Sequence, residues 1–156
     1  MISLEKPDFF SLLVGKRLSD MGRAADMIWV ILEEYNIDIV AQTIIIKDGI
    51  KMIESDDIYL ETGEIEPIHQ RPISIYDIKV EELLASGPFI ATKITADAEN
   101  NLHIDFSQGL TIQTTSQVNY KNGQVCALLD DEKWRIFAGK TNLPHMVARM
   151  DGIYCD

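Results

Sequence analysis

The chain has 156 residues, 46% hydrophobic and 25% charged, with a formal net charge of −11 and a pI near 4.6. That length suits a single domain spanning 1–156, which can bury roughly 70% of the surface its unfolded chain exposes, so folding requires no disulfide or metal staple. The acidity argues against nucleic acid or anionic lipid as the main partner, because phosphate binding needs clustered Lys and Arg.

Pro7 to Gly15 reads as a short helix near 8–14, with Asp8 at its start and Gly15 at its end. Lys16 to Asp26 has no clear period, and Gly22 marks a turn or bulge there. Met27-Ile28-Trp29-Val30-Ile31-Leu32 is rich in β-formers, Glu33 to Asn36 reads as a reversal, and a strand then runs from Ile37 to Ile46. Lys47-Asp48-Gly49 is a hairpin signal, since Asp-Gly accepts the positive φ of a tight turn, and Ile50 to Ile53 returns as a strand. Residues 61–72, with Gly63, Pro67 and Pro72, read as loop. Ser74-Ile75-Tyr76-Asp77 is a capping box that opens a helix through Leu84, with Ile78, Leu83 and Leu84 on its apolar side.

After Pro88 the pattern returns to β. Phe89 to Ala96 is one candidate strand, and Leu102-His103-Ile104-Asp105-Phe106 alternates as a half-buried strand does. Ser107-Gln108-Gly109 is a turn, and Leu110 to Gln113 alternates again. Lys121-Asn122-Gly123 is a second hairpin signal, followed by Val125 to Leu129, Asp130-Asp131 and Trp134 to Phe137. Gly49 and Gly123 are expected at positive φ, and Trp29 and Trp134 read as core anchors.

The two halves resemble each other. Trp29, Ile31, Ile37 and Ile39 align with Leu102, Ile104, Leu110 and Ile112, and Lys47-Asp48-Gly49 and Asp56-Asp57 with Lys121-Asn122-Gly123 and Asp130-Asp131. The expected fold class is therefore α+β and mainly antiparallel β. Two duplicated β-meanders, approximately 16–60 and 89–137, pack as a sandwich or rolled sheet with two short helices. An acidic loop-helix segment, 61–88, joins them.

The two cysteines, Cys126 in an apolar run and Cys155 next to the last residue, read best as reduced thiols, with a disulfide between them as the alternative. No basic region followed by an apolar core opens the chain, and no apolar run approaches the ~20 residues that span a bilayer. A cytoplasmic setting is the expectation.

Catalytic motifs are missing: there is no G-x-S-x-G, Walker loop, H-E-x-x-H or G-x-G-x-x-G. His69, His103 and His145 have no ligand spacing, so the sequence points to no metal site, no cofactor and no catalytic residue. The paired aspartates can be read as a cation site or an acid–base pair, or as solvated strand ends, which favour Asp.

The charge is unevenly distributed. Residues 54–82 carry nine acids against Arg71 and Lys79, a net of −7 out of the total of −11. Glu54, Asp56, Asp57, Glu61, Glu64, Glu66, Glu81 and Glu82 are the candidate partner-binding residues, with Asp77 assigned to the helix N-terminus.

Phe9-Phe10-Ser11-Leu12-Leu13-Val14-Gly15-Lys16, the β-meanders and Lys133-Trp134-Arg135-Ile136-Phe137 together resemble small acidic bacterial immunity proteins of contact-dependent inhibition and related polymorphic toxin systems. The resemblance implies a cytoplasmic inhibitor that binds and neutralises a basic toxin domain, a nuclease above all, with no catalysis of its own. An acidic face would speed capture of such a partner. The alternative is a small-molecule- or metal-binding β-domain, including an enzyme using the paired aspartates.

Overall fold

The computed structural model describes residues 6–24, 27–118, 120–121, 124–125, 132–138, 146–149 and 152–155. Alternation organises them. β1 (Leu18–Ala24), β2 (Met27–Leu32) and β3 (Tyr35–Ile39) form a meander. In it Ile28, Val30, Leu32, Tyr35, Ile37 and Ile39 are buried, and the residues alternating with them within β2 and β3 are half-buried. The β2–β3 reversal needs only Glu33 and Glu34; Tyr35 already belongs to β3.

The expected single strand from Ile37 to Ile46 is instead two strands in two sheets. The chain leaves the first sheet at Val40, whose N–H donates to the Lys133 carbonyl (2.8 Å), and starts β4 (Ala41–Lys47) in the second. β5 (Ile50–Glu54) pairs back on β4 through Asp48 (φ 53°) and Gly49 (φ 80°), so the Asp-Gly hairpin is as expected. Gly123 lies outside the described residues, as do Cys126, Asp130, Asp131 and His145.

The region read as loop contains a ribbon, β6 (Glu61–Glu66) and β7 (Arg71–Ser74), turned by residues 67–70. Most of it is exposed, so it lacks the apolar alternation by which a half-buried strand is recognised.

The two short helices are α1 (Lys6–Ser11) and α2 (Ile75–Ala85). The Ser74–Asp77 capping box forms as expected. The buried face of α2 is Tyr76, Val80 and Leu83, while Ile78 is exposed.

β8 (Ala91–Ala96), β9 (Leu102–Phe106) and β10 (Leu110–Val118) make a second meander. A short ribbon, β11 (Tyr120–Lys121) and β12 (Gln124–Val125), follows. β13 (Glu132–Ala138), β14 (Met146–Arg149) and β15 (Gly152–Cys155) return to the first sheet. The six-stranded order is β1-β2-β3-β13-β14-β15, and the five-stranded order is β5-β4-β10-β9-β8, with every described pairing antiparallel. Inward side chains of both sheets, Ile37 and Trp134 from one and Ile45 and Ile104 from the other, belong to one apolar core. A bridge between Arg17 and Ile90 links the sheets beside β1 and β8.

The proposed repeat is not confirmed in its register. Trp29 and Ile31 point away from the core, whereas Leu102 and Ile104 point into it. A one-residue offset in a strand exchanges its faces, so the alignment pairs unlike positions there. Beyond Ile112 it fails again: β10 continues in the same sheet as far as Val118, where β3 had already ended and passed the chain across. Each meander does send its chain to the other sheet, and β13 lies beside β3 as β4 lies beside β10. Among the described residues, no helix is long and apolar enough to cross a membrane.

Candidate functional site

The acidic segment is built from local caps. After β5 a 3-10 turn, Ser55–Tyr59, begins at Glu54. Ser55 is fully buried and anchors the turn to β4, its hydroxyl accepting the Thr43 N–H (2.5 Å). The Asp57 carboxylate accepts the Glu54 N–H (3.1 Å) and the Lys79 ammonium (3.0 Å) and is itself buried. At the ribbon turn Glu66 accepts the N–H groups of His69 (2.8 Å) and Ile68 (2.6 Å), which holds its carboxyl below the usual range.

Asp77 closes the cap of α2. It accepts the Ser74 N–H (2.9 Å) and takes a two-pronged bond from Arg23, Nε to Oδ1 and Nη2 to Oδ2, each 3.0 Å. The other Arg23 bond goes from Nη2 to the Pro72 carbonyl (2.9 Å). Partial burial pushes the Asp77 carboxyl up, but the bonds from Arg23 and Ser74 outweigh it and leave it below its ordinary value. A folded-state value below the unfolded one stabilises the fold above the ordinary carboxylate range and loses that effect as pH falls through the lower folded value. Asp77→Asn is therefore expected to cost about 1–2 kcal/mol at neutral pH, with the cost shrinking as pH falls below the ordinary carboxylate range. Urea unfolding of both proteins across that range measures it. A gap that stays constant with pH would assign the cost to shape alone.

The structure divides the eight predicted residues. Asp57, Glu54 and Glu66 are committed locally: Asp57 to Lys79, Glu54 to Lys51 (3.0 Å), and Glu66 to its turn. Asp56, Glu61, Glu64, Glu81 and Glu82 are exposed and form no salt bridge among the described residues. Leu60, Ile65 and Ile68, on the same segment, are 53%, 60% and 80% exposed. With Asp56 exposed and Asp57 buried against Lys79, this pair does not offer two free carboxylates to one ligand. Among the described residues, no three His, Cys, Asp or Glu side chains are grouped to hold a metal ion.

Glu64, Glu66 and Glu81 line a groove of about 570 Å³ where the β6–β7 ribbon and α2 meet β1 and β2. Asp20, Arg23, Trp29, Arg71 and Asp77 also line it. Sequence reasoning missed this groove because it placed Trp29 in the core. Trp29 is half-buried on the outer face of β2, opposite Gly22 of β1. A Cβ on Gly22 would lie 2.2 Å from the indole, so glycine is what lets the ring cross that strand. Trp134 is the core anchor expected, with no exposure at all.

A second groove, of about 490 Å³, lies over β8, β9 and β10. His103 and Thr111 both bond Asp105 Oδ1 there or beside it, at 3.0 and 2.9 Å. His69 is exposed in the ribbon turn.

Comparison with family models, characterised proteins and solved structures finds no match for this chain.

Proposed function

We propose that the chain is an inhibitory binding domain that captures and neutralises a basic toxin domain, a nuclease above all, in the bacterial cytoplasm. The observation that carries this reading is the exposed surface of the 54–82 segment. Asp56, Glu61, Glu64, Glu81 and Glu82 stand unbridged on it among the described residues, beside exposed Leu60, Ile65 and Ile68. Caps at Asp57, Glu66 and Asp77 hold the backbone beneath them in place. Apolar anchors with a charged surround are what a protein interface uses, and the negative field steers a basic partner into contact. A solvated acidic linker would need neither the caps nor the apolar side chains.

The test is co-expression. The gene beside this one should encode a large secreted protein with a basic carboxy-terminal domain. That domain alone should be toxic in a bacterial host, and this chain should restore growth. Absence of such a neighbour, or toxicity unaffected by this chain, sinks the reading. The other reading, a small-molecule-binding β-domain, is favoured by the polar groove around His103 and Asp105. It requires a ligand whose binding His103→Ala removes.

A further inference from the structure

The groove under the β6–β7 ribbon has a use more specific than general acidity. Its wall includes the half-buried indole of Trp29, seated across Gly22 on the outside of the sheet. Around it are five carboxylates and two guanidinium groups, so the groove is three charges negative. Arg23 and Asp77 neutralise each other in a two-pronged pair, and Glu66 is held by the ribbon turn. Glu64 and Glu81 keep their carboxylates exposed and out of any salt bridge among the described residues. An aromatic ring in the same groove as free carboxylates, with the groove negative overall, is complementary to a cation with a flat apolar surface.

We infer that this groove receives an arginine side chain of the protein partner, its guanidinium stacked on Trp29 and paired with Glu64 and Glu81. The inference rests on the reading of the chain as a binder of basic protein. Arginine fits better than lysine for two reasons. The planar guanidinium stacks on an indole, and its five donors reach two carboxylates at once. An ammonium is a compact, strongly hydrated charge that gains less from the ring.

The chain has two tryptophans, and Trp134 is sealed in the core, so quenching of fluorescence by acrylamide reports on Trp29. The probes are the pentapeptide Arg-Gly-Arg-Gly-Arg and its lysine and citrulline counterparts, at equal low ionic strength. The arginine peptide should saturably protect Trp29 from quencher, bind about fivefold or more tighter than the lysine peptide, and the citrulline peptide should not bind. In Trp29→Leu, followed by calorimetry, the arginine–lysine preference should disappear while weak charge-driven binding persists. Trp29→Phe should recover part of the preference. Equal binding of the two cationic peptides with quenching unchanged would overturn the groove assignment and leave the acidic face to act by charge alone. No saturable binding of either peptide would also overturn it, and the co-expression result would then decide the wider reading separately.

Discussion

Trp134→Ala is expected to destabilise the domain by about 3–5 kcal/mol, as removal of a buried aromatic side chain does. Trp134 is fully buried in β13, the strand that lies between β3 and β14 and joins the two ends of the chain in one sheet. Its ring packs against Phe10 of α1, with centroids 6.4 Å apart, and its Nε1–H donates to the Asn100 carbonyl (2.9 Å). Alanine would leave a large cavity and remove the donor for that carbonyl, and the surrounding β-ladder has little freedom to collapse into the gap. A domain of this size has roughly 5–15 kcal/mol of stability in total, so from about a fifth to all of it would go. Urea unfolding followed by far-ultraviolet circular dichroism measures the change. Trp134→Phe should cost less, because it keeps most of the ring volume while losing the hydrogen bond. A loss below about 1 kcal/mol for the alanine variant would mean that the core does not depend on this residue.

Much of the fold was legible because its signals are local. The run of β-formers in β2, the alternation in β9 and the start of β10, the Asp48-Gly49 turn and the Ser74–Asp77 cap each lie within a few residues of chain. The change of sheet at Val40 was not legible, and the reason is physical. Buried positions run Tyr35, Ile37, Ile39 and then Ala41, Thr43, Ile45, in the same period of two on both sides of the junction, with Val40 buried between them, so the apolar pattern gives no sign of a break. What marks the junction is the bond from Val40 to Lys133, a partner 93 residues away. β1 was hidden differently. A register shift between Leu18 and Asp20 breaks its alternation, and its glycine serves to accommodate an indole from the neighbouring strand.

The site was legible as a count of charges and not as a geometry. Nothing near Asp57 in the chain says that Lys79 will cover it, and nothing near Asp77 says that Arg23, 54 residues earlier, will grip it. Trp29 was misplaced because β2 is apolar on both faces: Ile28, Val30 and Leu32 on one, Met27, Trp29 and Ile31 on the other. With both faces apolar, composition cannot choose which one enters the core, and the choice falls to the pairing with β1 and β3.

That division between committed and free carboxylates sets the sharpest functional test. Replacing Asp56, Glu61, Glu64 and Glu81 together by lysine should slow association with the proposed basic partner by about 100-fold or more at low salt. The four exposed side chains take no part in any salt bridge among the described residues, so their reversal removes attraction without breaking an internal bond. Stability should stay within roughly 1 kcal/mol of the parent, since surface changes away from caps and core cost little. Asp57 is left in place because its loss would strip Lys79 and the Glu54 N–H of their acceptor, and a folding defect would then be mistaken for a binding defect. Stopped-flow mixing from about 50 mM to about 500 mM salt measures the rate. The parent should slow steeply over that range and approach the variant, because exposed charges are screened beyond ~10 Å at 0.1 M and beyond ~3 Å at 1 M. A variant that unfolds with the parent in urea and still associates as fast at low salt would show that the partner docks elsewhere, and that the charge of this segment serves only to keep the ribbon and helix solvated.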